Sequence, residues 1–498
     1  MAGADTLKDA GGGTAREQAA LARAPLALYI GGEWRPATGT GTLAVEDPST
    51  GETVAEVPDA TPEDALAALA AADEAQAAWR ASAPRDRAEI LRGAYELLSA
   101  RVEDLALLMT LEMGKPVAES RAEIAYAAEF LRWFSEEAVR VHGRYMTNTT
   151  GSGRILTMRQ PVGPCVFVTP WNFPTAMGTR KIAPAIAAGC TMVVKPAQQT
   201  PLSMLALARV LEDAGLPGGV LNVITAHRSG AVIEPLLKDS RTRKLSFTGS
   251  TEVGRTLIAQ SARQILRVSM ELGGNAPFVV FEDAELDAAV EGAMTAKLRN
   301  VGEACTAANR FHVHESLAGE FARRLAERMS ALKLGRGSDD GVDVGPLIDD
   351  RQRGIVRELV GDAVEKGARV LTGGEALDGP GYFYAPTVIA DVPPSARVLS
   401  EEIFGPVAPV ATFGAEQEAI AAANATEFGL VAYLYTRDLQ RALRVSEALE
   451  VGMVGLNQGI VSNPAAPFGG VKQSGYGREG GFEGIEEYLE TKYVAVAL

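Results

Sequence analysis

The run KLSFTGSTEVGRTL, residues 244–257, decides the reading of the fold. A short apolar stretch at 245–247 meets a glycine turn and then opens into a helical pattern. Similar short apolar runs recur on both sides, at 165–168, 192–194, 220–224 and 278–281. Helical patterns of roughly ten to fifteen residues separate them, and strand alternating with helix predicts βαβ units and a doubly wound parallel sheet. A second series follows, from a helix near 284–300 through alternating strands and helices to about residue 457. It predicts a second α/β domain with its own parallel sheet.

Toward the N-terminus the texture is different. Residues 27–34 carry the pair Gly31-Gly32 and predict a small hairpin. Thr61 with Asp64 predicts a capping box opening an alanine-rich helix. Amphipathic patterns predict helices over 84–112 and 117–142. The first eighteen residues, MAGADTLKDAGGGTAREQ, have no apolar core and mix acids with bases. They predict a disordered leader over 1–25 rather than a targeting peptide. At the other end, 492–498 predicts an edge strand.

The chain has 498 residues, about three times the ~150 of a typical domain. Lys and Arg number 48 against 63 Asp and Glu, a formal net charge of −15. That balance disfavours nucleic acid or an anionic membrane surface as the main partner. The longest apolar stretch near the centre, between Lys181 and Lys195, is thirteen residues. A membrane span needs about twenty, so none is predicted. Three cysteines cannot form a disulfide framework, and their sparseness predicts a reducing, cytoplasmic setting.

Two glycine patterns imitate phosphate loops. Gly475-Tyr-Gly477-Arg-Glu-Gly480 matches GxGxxG but follows no clear strand, and eighteen residues remain after it. A mobile glycine loop is the expectation there. Gly249-Ser-Thr-Glu-Val-Gly254-Arg-Thr follows a strand and opens a helix, with Arg255 where a P-loop has lysine. A helix start with Gly249 and Ser250 can still hold a pyrophosphate on its open N–H groups. A nucleoside triphosphatase therefore stands as an alternative from another class, beside a non-catalytic structural protein. His312 and His314 lie two apart in a strand-like run but lack a third ligand, so no metal site is predicted. Cys165 and Cys190 sit among apolar or small residues and read as core. Cys305 sits in a polar, loop-like stretch where a thiol can reach substrate.

A set of motifs stands in order along the chain: Thr-Pro-Trp171-Asn172-Phe-Pro, Lys195-Pro-Ala, Gly249-Ser250 through Gly254, Glu271-Leu-Gly-Gly, Gly302-Glu-Ala-Cys305, Glu402-Ile-Phe404-Gly-Pro and Pro467-Phe-Gly-Gly. Together they resemble the aldehyde dehydrogenase superfamily, over essentially the whole chain after the leader. Within it the chain is most similar to the succinate-semialdehyde branch, through Thr179-Arg180-Lys181, Lys297-Leu-Arg299-Asn and Phe468-Gly-Gly-Val-Lys-Gln-Ser-Gly. The resemblance implies a cofactor-binding domain over 26–142 and 161–271 and a catalytic domain over 272–462. It also implies an oligomerisation element joining 143–160 to 482–498, and hence a homodimer or homotetramer.

The same resemblance implies the chemistry. Cys305 attacks an aldehyde as thiolate, and Asn172 with the Cys305 N–H stabilises the oxyanion. After hydride transfer, Glu271 acts as general base on the thioester. Lys181 and Glu479 match positions linked to proton relay, with a plain salt bridge as the alternative. Lys195, Ser250 and the helix start hold the dinucleotide. Glu402 and Phe404 place its nicotinamide end, and Trp171 lines the site. Gln198 departs from relatives that carry Glu there, and a neutral side chain beside Lys195 predicts NADP over NAD. Arg180 and Arg299, with Ser462, are implied to hold a distal carboxylate, which a guanidinium suits. The implied substrate is a small semialdehyde bearing a carboxylate. Succinic semialdehyde leads, with glutarate semialdehyde or a neutral aldehyde as alternatives. Ala307 stands where close relatives often carry a second cysteine, which argues against a disulfide switch at Cys305.

Overall fold

The computed structural model describes residues 14–497. Its first large sheet has eight strands, ordered Glu33–Arg35, Leu28–Ile30, Leu221–Val223, Met192–Lys195, Cys165–Val168, Lys244–Thr248, Arg267–Glu271, Gly475–Tyr476. The five strands from Leu221–Val223 to Arg267–Glu271 are parallel. Both flanks are antiparallel, so the predicted doubly wound parallel sheet carries antiparallel edges. Chain order reverses between Cys165–Val168 and Lys244–Thr248. In an open α/β sheet the crevice beyond that reversal is the place for a ligand. Thr169-Pro-Trp171-Asn172 leaves one strand there, and Gly249-Ser250 leaves the other.

The second sheet has seven strands, ordered Arg369–Thr372, Thr387–Ala390, Val407–Phe413, Ala308–His314, Ala276–Val280, Val431–Tyr435, Met453–Leu456. All its pairs are parallel except that of Arg369–Thr372. The run at 278–281 belongs to this sheet, not to the first series. Residues 272–275 are therefore the crossing between the sheets, and Glu271 is the last residue before it. Buried apolar clusters pack both faces of each sheet.

A third sheet pairs Leu489–Ala497 with Gly153–Pro161, and Gly153–Pro161 with Arg144–Thr147, all antiparallel. It stands off the body, with Tyr145 70% and Tyr493 60% exposed. Its last strand starts three residues before the predicted 492; Leu498 lies outside the described residues.

Several local expectations hold. Leu28–Ile30 and Glu33–Arg35 form the hairpin about Gly31-Gly32, both at positive φ as a two-residue turn requires. Thr61 and Asp64 form the capping box of helix Pro62–Ala81. Others need correction. The predicted helix over 84–112 is two helices, Pro84–Ala100 and Val102–Met113, broken at Arg101. The one predicted over 117–142 ends at Glu137. Residues 1–13 of the predicted leader lie outside the described residues, but Ala15–Arg23 is a helix, not disordered chain. Thr14 and Glu17 cap it reciprocally, and Ala20 packs against Leu107 and Leu111.

The thirteen-residue apolar stretch divides between the end of the wholly buried helix Ala176–Ala188 and the buried strand Met192–Lys195. Among the described residues no helix is long and apolar enough to cross a membrane.

Candidate active site

A cavity of about 350 Å³ opens at the reversal in the first sheet. Trp171, Asn172, Gly249, Ser250, Glu271, Cys305, Glu402 and Phe404 all line it. These eight predicted residues come from five separate stretches of chain. Gln199, Thr248 and Gln352 line it too, and none of them is a site residue that the sequence motifs point to.

Cys305 is the one cysteine of three that is not fully buried. The stretch before it is unusual backbone. Asn300, Val301 and Gly302 have φ of 54°, 58° and 80°, three left-handed residues in succession. A β-branched residue in that region is strained, by an order of 1–3 kcal/mol. The turn is tight at Gly302, where a Cβ would stand 2.3 Å from the Gly405 carbonyl oxygen. Burial pushes the Cys305 thiol up to about 12; Arg180 and Arg299 oppose that push, while Glu402 and Glu271 add to it. At rest the group is a thiol, so attack requires a proton acceptor.

Glu271 ends a strand that the hydrophobic pattern did not reveal. It is backed by Gly475–Tyr476, with Glu271 opposite Gly475. Gly475 has φ 104°, and a Cβ there would lie 2.0 Å from the Met270 carbonyl oxygen, so only glycine allows this approach. The GxGxxG stretch is thus an ordered strand and turn behind the candidate base, not a mobile loop. Both carboxyl oxygens of Glu271 are buried with no hydrogen-bond partner. Burial, reinforced by the nearby Glu479, holds its pKa well above the carboxylate range against Arg180 and Lys181.

Glu479 has the opposite environment. Burial alone would raise it, but Lys181 and Arg180 outweigh that and keep it low. Lys181 Nζ contacts one oxygen, and Arg180 Nε lies 2.9 Å from the other. Two carboxyl groups whose pKa values are pushed apart have distinct roles. Glu479 stays anionic in its ion pair, and Glu271 is the carboxyl that burial keeps protonated to higher pH.

Asn172 lies 5% exposed. Its Oδ1 accepts from the Phe173 N–H at 3.1 Å, and its Nδ2 donates to the Glu303 carbonyl at 3.0 Å. One carboxamide N–H is left over at the cavity wall. Neither Lys115 nor Asn300, which both hold the Asn172 carbonyl, carried a signal in the sequence.

The residues predicted to hold a distal carboxylate sit beside the cavity rather than in its wall. Arg299 Nη1 donates to Ser462 Oγ at 3.1 Å, and its guanidinium stacks 4.7 Å from the Phe173 ring centroid and 5.6 Å from that of Tyr126. It makes no ion pair among the described residues. The Tyr126 hydroxyl is buried in the same corner. Arg180 differs: it is committed to Glu479 and lies 3.8 Å from the Phe468 ring centroid, with Nη2 buried and unpartnered. Half of its predicted role, a guanidinium free for substrate, is taken by an internal acid.

The cofactor residues divide similarly. Ser250 caps helix Thr251–Ser261, whose first-turn N–H groups have no intrahelical partner and face the reversal crevice. Gly249 is required, because a Cβ there would meet the Phe247 ring at 2.5 Å. Gly254 lies outside the cavity wall; it lets the helix close on Leu272, 2.5 Å from where its Cβ would be. Arg255 turns away to Glu427 and Gln473, so the P-loop likeness ends at the helix start. The helix start alone remains of the triphosphatase pattern.

Lys195 Nζ donates to Ser229 Oγ at 2.6 Å, and burial lowers its pKa to about 8 against the pull of Asp59. Gln198 is half-buried, next to Gln199 in the cavity wall. Glu402 Oε1 accepts the Gly274 N–H at 2.9 Å, and burial raises this carboxyl to about 7 against Gly274 and Lys297. Phe404, at φ 52°, is held by Gln352, whose Nε2 donates to the Phe404 carbonyl at 2.8 Å. Its ring meets Trp171 edge-on, with centroids 5.4 Å apart. The unpartnered buried Thr248 hydroxyl, the open helix start and this aromatic corner fit an elongated anionic dinucleotide.

Comparison with known proteins gives a consistent result. The aldehyde dehydrogenase family model matches residues 34–494. A succinate-semialdehyde dehydrogenase of Paenarthrobacter nicotinovorans is 63% identical over 444 residues, 89% of this chain and 99% of that protein. The NADP(+) succinate-semialdehyde dehydrogenase of Escherichia coli (strain K12) is 51% identical, over 94% of this chain and 97% of that protein. A glutarate-semialdehyde dehydrogenase of Pseudomonas putida is 50% identical over the same shares, 94% and 97%. A crystal structure described as an E. coli NADP-dependent enzyme superposes with TM-score 0.95 at 50% identity, covering 99% of this chain and 100% of that one.

Proposed function

The chain belongs to the aldehyde dehydrogenase family, and from that premise we propose that it oxidises succinic semialdehyde to succinate with NADP or NAD. The observation that carries the substrate is Arg299. It is a guanidinium that acts on Cys305, with a hydroxyl and two aromatic faces around it and no ion pair among the described residues. A cation so placed is completed by a substrate carboxylate.

Cys305 loses its proton to solvent and, as thiolate, adds to the aldehyde carbon. The spare N–H of Asn172 and the Cys305 backbone N–H take the oxyanion. When bound, the dinucleotide supplies the hydride acceptor that leaves a thioester on Cys305. Lys195, Ser250 and the first turn of helix Thr251–Ser261 would hold its phosphates and adenosine end; Glu402, Phe404 and Trp171 would hold the other end. Glu271 then draws a proton from water, and hydroxide attack on the thioester frees the acid. Glu479, fixed by Lys181 and Arg180, keeps a negative charge near Glu271 and so raises its basicity.

NADP leads over NAD in this reading, supported by Lys195 and by the neutral Gln198. Glutarate semialdehyde is the second reading of the substrate, since a relative named for it is 50% identical. The segments 26–142 and 161–271 serve as cofactor domain, and 272–462 as catalytic domain. The exposed sheet of Arg144–Thr147, Gly153–Pro161 and Leu489–Ala497 serves self-association into a dimer or tetramer. A cytoplasmic setting belongs to the same reading, supported by three unpaired cysteines.

The test is a panel of rates. Succinic semialdehyde, glutarate semialdehyde and neutral aldehydes of matched length are each run with NADP and with NAD. The reading requires the highest kcat/KM for succinic semialdehyde with NADP. Equal rates for neutral aldehydes would overturn the substrate assignment.

A further inference from the structure

Asn172 lies in residues 169–175, a stretch with neither helix nor strand, so no regular ladder holds its backbone. A buried ion pair from elsewhere holds it instead. Lys115 Nζ donates to the Asn172 carbonyl at 2.7 Å and to Glu123 Oε2 at 2.6 Å. Glu123 Oε1 accepts the N–H groups of Thr175 at 3.0 Å and Ala176 at 3.1 Å. Both side chains are 1% exposed. The ammonium also sits 4.4 Å from the ring centroid of Phe173, the ring on which Arg299 stacks.

One charge pair thus grips the stretch at Asn172 and again at Thr175-Ala176, with Phe173-Pro174 between the grips. It also satisfies the start of helix Ala176–Ala188, which carries Arg180 and Lys181. Asn300 adds a third hold: its Nδ2 donates at 3.0 Å both to the Asn172 carbonyl and to the Glu303 carbonyl. The latter is the oxygen to which the Asn172 carboxamide itself donates. The arrangement leaves the Asn172 peptide little freedom, and the side chain follows the peptide.

We propose that Lys115 and Glu123 are a positioning pair for the reaction: they fix the Asn172 peptide so that its remaining carboxamide N–H points to the oxyanion formed at Cys305. The inference rests on the reading of Asn172 as oxyanion donor. Burying an ion pair is costly, and replacing one by neutral groups is often tolerated, so stability alone does not require it. A donor displaced by about 1 Å can cost on the order of 10²-fold in rate.

The experiment is a double-mutant cycle read by stopped flow, with succinic semialdehyde and NADP on the full-length enzyme. Lys115→Met/Glu123→Gln removes both charges and keeps an acceptor for the Thr175 and Ala176 amides. The burst of reduced cofactor is expected to slow by about 10- to 100-fold, with its amplitude per cofactor-binding site and the KM for aldehyde little changed. Asn172→Ala alone slows the burst by about 10²–10³-fold. The triple variant is then no more than about twofold slower than Asn172→Ala, because the pair acts only through that donor.

Should the double variant not fold, Lys115→Arg keeps the charge for Glu123 but displaces the donor head, and slows the burst by about tenfold. A burst rate within threefold of wild type in the foldable variant, with only amplitude or melting temperature lowered, would mean a structural role and overturn the inference. Multiplicative slowing in the triple variant would overturn it too. If Asn172→Ala leaves the burst unchanged, the reading of Asn172 is what has failed, and the inference falls with it.

Discussion

Arg180 Nε stands 2.9 Å from one carboxylate oxygen of Glu479, while Lys181 contacts the other. Two neighbours on one buried helix thus share one acid that lies 298 residues further along the chain from Lys181. The consequence separates the two arginines of the substrate reading. Arg180→Leu removes a cation from Glu479 and weakens the charge balance around Glu271. It is expected to lower stability by up to roughly 3–5 kcal/mol. It also slows carboxylate-bearing and neutral aldehydes alike. Denaturant midpoints and kcat/KM for both aldehydes check this; loss confined to the carboxylate substrate would free Arg180 from a structural role.

Cys305 rests as a thiol pushed up to about 12, chiefly by burial. Alkylation follows the thiolate. In the enzyme without dinucleotide, the iodoacetamide rate at Cys305 should climb about tenfold per pH unit from 7 to 10, with no plateau. A plateau near pH 8 would contradict the account of the resting thiol.

Glu271 has a raised pKa, so its anion appears only as pH rises. Thioester hydrolysis in the wild type should therefore speed up with pH above neutrality. Glu271→Gln should slow hydrolysis by about 10²–10⁴-fold and flatten that limb. Acyl-enzyme then accumulates after one burst, measurable by intact mass. Full turnover without accumulation would exclude Glu271 as the base.

Gln198 is half-buried and precedes Gln199 of the cavity wall in the chain. Gln198→Glu introduces a charge that repels a 2′-phosphate and can accept ribose hydroxyls. The NADP/NAD ratio of kcat/KM should shift toward NAD by roughly 1–3 kcal/mol. An unchanged ratio would place position 198 away from the ribose.

The core of the first sheet was readable because its strands are short apolar runs set off by glycine or by helix. The reversal that makes the crevice was not readable, because strand order is set by long-range packing; Trp171-Asn172 and Gly249-Ser250 were legible only as motifs. Arg267–Glu271 escaped because its alternation runs for only five residues, with ionisable groups at both ends and just two apolar side chains to mark it. Its partner Gly475–Tyr476 escaped because it is two residues long and exists only where Gly475 meets Met270. The left-handed turn at 300–302 has a bulky valine in its middle, which local preference opposes. Long-range fit alone holds it, so no local pattern announces it. Lys115 and Glu123 were hidden for a like reason: their role depends on Asn172, which is 57 residues from Lys115.

The central claim is that Arg299, unpaired beside Cys305, completes its charge with the distal carboxylate of the substrate. Its most direct test is kcat/KM of Arg299→Leu on succinic semialdehyde and on a neutral aldehyde of equal length. General damage slows both and cancels in the ratio. The account predicts a loss of roughly 2–5 kcal/mol for succinic semialdehyde and almost none for the neutral aldehyde. Equal losses on the two would contradict it.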